Sequence, residues 1–114
     1  MMIDVATAFS PYPAGRFRTD GPFSGEEFRE KTLVPALAQG GPVVVRLAGT
    51  KGYGSSFLEE AFGGLVRHGH FTADELHRRL SIEAGAPEYE IYKRRVDEYI
   101  RRATFGSDRA KARA

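Results

Sequence analysis

The sequence predicts an α/β sandwich in which about four helices pack on a small mixed four-stranded sheet, in the order β-β-α-β-α-α-β-α. Three stretches carry that expectation. Ile3, Val5, Thr7 and Phe9 alternate with Asp4, Ala6 and Ala8, which is the period of a half-buried strand. Val43-Val44-Val45-Arg46-Leu47-Ala48 is a short β-branched apolar run, suited to a central strand covered on both faces by helices. Leu58, Ala61, Phe62, Leu65 and Val66 recur at the helical period and define one buried face.

The remaining elements follow from turn and cap chemistry. Ser10-Pro11-Tyr12-Pro13-Ala14-Gly15 ends the first strand, and Arg16-Phe17-Arg18-Thr19 is read as a short antiparallel return strand before the Asp20-Gly21-Pro22 turn. Ser24 with Glu27 three residues on, and Phe23 with Phe28, are the cap and staple of a first helix. Pro35 removes a backbone donor and is expected to kink or split that helix, which stops at Gln39-Gly40-Gly41-Pro42. Gly63 and Gly64 inside the second helix cost about 1 kcal/mol each against alanine, so close approach to the sheet or to a partner is expected there. Thr72 with Glu75 forms a capping box for a short third helix, with Phe71 and Leu76 as its staple. Leu80-Ser81-Ile82-Glu83-Ala84 alternates as a strand, and Gly85-Ala86-Pro87 opens a last helix striped by Tyr92, Val96, Tyr99, Ile100 and Ala103. Glu90–Arg94, Asp97–Arg101 and Glu98–Arg102 are i,i+4 pairs along it. Residues 1–105 therefore read as one domain, and residues 106–114 as a basic flexible tail.

Composition narrows the function classes. The chain has 114 residues, enough for one modest core, with 41% hydrophobic and 28% charged residues. No stretch has the apolar length of a membrane span and no N-terminal leader pattern is present. The lack of cysteine excludes a disulfide framework, thiolate catalysis and zinc–thiolate sites, and fits a cytoplasmic location. A net charge of +2 gives no general nucleic-acid footprint, and the basic residues of the last helix alternate with acids. Nucleic acid is not an expected partner, and no cofactor motif is present.

The chemistry concentrates where the strand at 43–48 meets the helix after it. Gly49, Thr50, Lys51, Gly52, Tyr53 and Gly54 form a glycine-rich connector, and Ser55 and Ser56 open the helix. A helix start presents unpaired N–H groups and the positive end of the macrodipole. A hydroxyl there can cap the helix, with Glu59 as capping-box partner of Ser56, or can accept a phosphate. The spacing is G-x-x-x-x-G, but Ser55-Ser56 replaces the Lys-Ser/Thr that a phosphate-binding loop requires. Glu59 and Glu60 are adjacent and so point in different directions on an α-helix, which gives no paired acid–base site. His68, His70 and His77 lack the spacing of a ligand set, with Asp74 and Glu75 the only carboxylates near them in sequence.

Gly54-Ser55-Ser56-Phe57-Leu58-Glu59-Glu60-Ala61-Phe62-Gly63-Gly64-Leu65, with Gly21-Pro22-Phe23-Ser24-Gly25-Glu26 upstream, resembles the STAS-like family catalogued as domain of unknown function 4325. More distantly it is similar to the STAS domains of anti-sigma-factor antagonists. In those, a histidine-kinase-like ATPase phosphorylates a serine at the corresponding helix opening, and the charge releases the antagonist from its partner. The resemblance implies a non-enzymatic protein-binding module with Ser55 and Ser56 at the phosphoacceptor region. Gly54 stands where many antagonists carry an acidic residue. The partner surface it implies is Gly49 to Gly54 with Phe57 and Glu60, and a homodimer is a further expectation. The alternative is a sensor of a small anion or nucleotide using the same loop and helix start.

Overall fold

The computed structural model describes residues 1–105; the basic tail expected at 106–114 lies outside the described residues. Three parallel strands form one sheet in the order β1-β2-β3: Met2–Asp4, Val43–Arg46 and Leu80–Glu83. Ile3 pairs with Val45 and Val45 with Ile82, so one register places the apolar residues of all three strands on a common face. Helix α1 is the single turn Val5–Ala8. Helix α2 runs over Gly25–Phe28, passes through a π-helical turn at Arg29–Leu33, and continues over Val34–Ala38. Helix α3 repeats that construction, with Ser55–Leu58, a π turn at Glu59–Gly63, and Gly64–Arg67. Helices α4 (Ala73–Arg79) and α5 (Glu90–Arg102) complete the layer.

The expected four-stranded mixed sheet is thus a three-stranded parallel one. Arg16 to Thr19 form no strand, because the backbone donors of Arg16, Phe17 and Arg18 are taken by side chains. The Asp20 carboxylate accepts from the N–H groups of Arg16 (3.1 Å) and Phe17 (2.8 Å), and Glu26 accepts from Arg18 N–H (2.8 Å). Those bonds close a turn, with a 3₁₀ segment at Arg18–Asp20. The first strand also stops short at Asp4, since the helical turn of α1 swings Phe9 into a stack with Phe23, Phe28 and Phe57.

Helices cover only one face of the sheet, and topology explains it. Both crossovers step in the same direction, β1 to β2 and β2 to β3. Right-handed crossovers that step the same way lay their helices on the same side. The helix-facing residues Ile3, Val43, Val45, Leu80 and Ile82 are buried, whereas Met2, Arg46, Ser81 and Glu83 on the opposite face are exposed. That open face carries an acid–base–acid row, Asp4 beside Arg46 beside Glu83, set by the register.

Cap chemistry performs as the sequence predicts at two helices. Ser24 Oγ accepts from Glu27 N–H (3.1 Å), and Thr72 and Glu75 exchange both capping-box bonds at 3.1 Å. Pro35 lies two residues after the π turn of α2, with Val34 between. Its ring and missing N–H disturb the bonds of the preceding turn, and the wider turn absorbs that disturbance.

Candidate functional site

The Gly49–Gly54 connector leaves the carboxyl end of β2 and is held by bonds at several points, unlike a loose linker. Tyr53 Oη donates to the Leu47 carbonyl (2.7 Å), Tyr89 Oη donates to the Thr50 carbonyl (2.5 Å), and Lys51 N–H donates to the Pro11 carbonyl (2.9 Å). Tyr53, Tyr89 and Tyr92 form an aromatic triangle beneath it, with centroids 5.3 to 6.4 Å apart. Gly52 has φ +99°, and a Cβ there would meet Tyr92 Oη at 2.9 Å, so only glycine fits the turn against this floor. Burial pushes the Tyr53 phenol far above its ordinary pKa, so it remains a donor. Tyr53→Phe is expected to leave the Leu47 carbonyl unsatisfied and to lower stability by about 1–3 kcal/mol, read as a shift in the urea midpoint.

Above this floor the residues separate by exposure. Gly49, Lys51, Gly54, Ser55 and Ser56 are exposed and Gly52 is half-buried. Thr50, Tyr53, Phe57 and Glu60 are buried, so these four of the sequence-named partner residues lie under the surface and support it. Phe57 fills the aromatic stack with Phe9, Phe28 and Tyr53, at 6.2, 5.9 and 5.8 Å. The N-cap of α3 is Gly54, with Ser55 and Ser56 as its first two helical residues. Neither hydroxyl serves as the cap, and the Ser56–Glu59 capping box expected from spacing does not form. Tyr12, 60% exposed, stands beside the loop because Pro11 binds Lys51. A surface-bound aromatic on a proline-rich turn is invisible to periodicity.

One turn further along α3 lies a feature that spacing gives no sign of. Arg16, Arg29 and Arg67 converge on Glu59 and Glu60. Arg16 Nη1 reaches Glu59 (2.5 Å) and Glu60 (3.2 Å), while Arg29 Nη1 reaches the Glu60 carboxylate (2.6 Å) and its backbone carbonyl (2.7 Å). Arg67 bonds Glu59 through Nη1 and Glu60 through Nη2 at 3.0 Å. The adjacent acids therefore converge on shared partners, contrary to the divergence expected of a regular α-helix. Both begin the π turn, whose extra residue per turn displaces side chains and carbonyls from α-helical positions. Burial raises both carboxyl pKa values, but bonds to Arg67 and Arg16 for Glu59, and to Arg29 for Glu60, outweigh it. Both carboxyls end below their ordinary value. Gly64 is the space for Arg29, since a Cβ there would collide with Arg29 Nη1.

The histidines are dispersed. His68 Nε2 lies 3.5 Å from Glu60, His70 Nε2 lies 3.1 Å from Glu30, and His77 lines a groove beside β3. Among the described residues no group of three or more His, Cys, Asp or Glu is arranged to hold a metal ion. No helix among them is long and apolar enough to cross a membrane.

The family of the STAS-like domain of unknown function (DUF4325) has a sequence model that matches residues 24–90, more than half of the chain. The match contains α2, β2, the connector, α3, α4 and β3, and hence both serines and the Arg29–Glu60–Arg67 cluster. No curated protein and no solved structure matches the chain. The chain belongs to the family of STAS-like domains of unknown function, DUF4325.

Proposed function

We propose that this domain is a non-enzymatic regulatory module that binds a protein partner through the surface formed by Gly49, Lys51, Gly54, Ser55, Ser56 and Tyr12. The observation that carries the reading is the exposure of Ser55 and Ser56 at the opening of α3, where a glycine takes the capping position and both hydroxyls stand in solvent. The partner is an ATPase/kinase of the histidine-kinase-like class, and phosphate on Ser55 or Ser56 is the switch. A phosphoserine carries about −1.5 to −2 charges and three acceptor oxygens. At the first turn of a helix that charge is favoured by about 0.3–1 kcal/mol, so modification leaves the fold intact while changing the surface offered to the partner.

Binding of the purified kinase to the full chain, measured by calorimetry, tests this. Ser55→Asp with Ser56→Asp is expected to weaken binding at least tenfold, and Ser55→Ala with Ser56→Ala to retain it but abolish its sensitivity to ATP. Equal affinity for both double variants, with ATP sensitivity unchanged, refutes the switch.

A further inference from the structure

We propose that the groove between α4 and α5 binds a short apolar peptide with both of its termini free. The groove has a volume of about 580 Å³, within the range of small-ligand sites. Its apolar lining is Leu76 from α4, Leu80 and Ile82 from β3, and Ile100 from α5. Asp74 and His77 of α4, and Lys93, Asp97 and Arg101 of α5, supply its polar lining. Among the described residues, none of these five side chains has an ion-pair or hydrogen-bond partner. Asp97 and Arg101 have the i,i+4 spacing of Glu98 and Arg102, whose side chains meet at 2.5 Å, yet only the second pair closes. Lys93 is half-buried with no anion in ion-pair reach.

The arrangement selects the ligand. Acids and bases share one groove, so a nucleotide or inorganic anion meets Asp74 and Asp97, and a simple cation meets Lys93 and Arg101. An apolar body with one charge of each sign satisfies both sets. Asp97 lies four residues from Lys93 and four from Arg101, about 6 Å along the helix axis in each direction. An extended chain advances about 3.3–3.6 Å per residue, so the ammonium and carboxylate of a dipeptide span about 6–7 Å. The backbone of β3 adds a peptide-reading group. Glu83 carbonyl accepts from Leu47 N–H (2.9 Å), so Ser81 and Glu83 face β2 and Ile82 between them turns its N–H and C=O to the free side. Leu80 N–H is closed by the Leu76 carbonyl, which leaves Ile82 as the donor and acceptor for the amide of the ligand. Side chains of the peptide cover the aliphatic lining, its carboxylate meets Lys93 or Arg101, and its ammonium meets Asp97 or Asp74.

Titration of the full chain with Leu-Leu, followed by nuclear magnetic resonance of the backbone amides, tests this. Binding is expected with a Kd of about 0.1–1 mM, as the efficiency of small ligands gives, with shifts concentrated at residues 73–82 and 93–101. Acetyl-Leu-Leu lacks the ammonium, Leu-Leu-amide the carboxylate and Gly-Gly the side chains, and each is expected to bind about fivefold more weakly or worse. The double variant Lys93→Gln, Arg101→Gln is expected to weaken Leu-Leu about fivefold but leave Leu-Leu-amide unchanged. Asp74→Asn with Asp97→Asn is expected to weaken Leu-Leu similarly but leave acetyl-Leu-Leu unchanged. Both keep the circular dichroism of the wild type, and Arg94→Gln, exposed on α5 outside the groove, changes no affinity. No shift at about 10 mM Leu-Leu overturns the proposal. So does free leucine, Gly-Gly or acetyl-Leu-Leu binding as tightly as Leu-Leu, or a double variant that weakens free and blocked peptides alike.

Discussion

Glu60→Ala is expected to remove up to about half of the folding stability. Glu60 is 3% exposed and Arg29 4%, and their 2.6 Å contact is backed by Arg67 and Arg16. Deleting the carboxylate breaks the buried Arg29–Glu60 pair and leaves Arg29 with Glu30, and Arg16 and Arg67 with Glu59. Losing one partner of a buried pair costs up to about 3–5 kcal/mol, against a total of about 5–15 kcal/mol for a domain. Urea titration followed by circular dichroism is expected to show the midpoint falling by roughly half with little change in slope. Glu60→Gln keeps an acceptor and the shape, and is expected to lie between the two. The same pairs set the acid limit. Glu59 and Glu60 have folded pKa values below the unfolded carboxylate value of about 4.3, so the folded state binds fewer protons there. Their contribution is fully present above about pH 4.5 and is lost as pH falls through the folded values. The acid-unfolding slope of Glu60→Gln is expected to be shallower than that of the wild type. An identical slope would show that this carboxyl does not carry the linkage.

Gly25→Ala forces α2 and α3 apart. A Cβ at residue 25 would run into the Phe57 carbonyl, with Ala61 N and Glu60 Cβ each at 3.1 Å. The obstacle is backbone, so no rotamer change relieves it. The helices must separate, and the stack of Phe28 on Phe57 and the Arg29–Glu60 contact separate with them. Overpacking of this kind costs about 1–3 kcal/mol by itself, and the loosened ion pairs add to it. Thermal unfolding is expected to show a loss of roughly 10 °C or more, since about 1 kcal/mol shifts a domain of this size by about 4–8 °C. Ala38→Gly at an exposed position of the same helix is the control for helix propensity. An equal loss from both would contradict the close approach at Gly25.

The parts of this fold legible in the sequence are those fixed by neighbours in the chain. Thr72 and Glu75 announce α4 because both capping-box bonds span three residues, and Leu80 to Glu83 announce β3 by simple alternation. The pair Gly63-Gly64 predicts close approach of the sheet or a partner, but what lies against them is Glu59 and Tyr99 for one and the Arg29 side chain for the other. Failures arose where distant residues decide. Arg16 to Thr19 alternate acceptably for a strand, but Asp20 and Glu26 capture the N–H groups of Arg16, Phe17 and Arg18. Helices on both faces are the default reading of a triple-valine strand, and only the order β1-β2-β3 leaves one face open. At the site, the serines, Lys51 and the glycines were visible as a motif. The Arg16–Arg29–Arg67 cluster was not, because its members are far apart in sequence and two π turns bring them together. The pair of acids in an otherwise apolar helix, Glu59 and Glu60 before Ala61 and Phe62, was the signal that buried cations lay opposite.

The most direct measurement is peptide-resolved mass mapping of the full chain after incubation with ATP and a purified histidine-kinase-like ATPase that binds it. Phosphate confined to the peptide bearing Ser55 and Ser56, lost when both are replaced by alanine, is the predicted result. Phosphate on another segment, or none at all from a kinase whose binding ignores Asp at both serines, would contradict it.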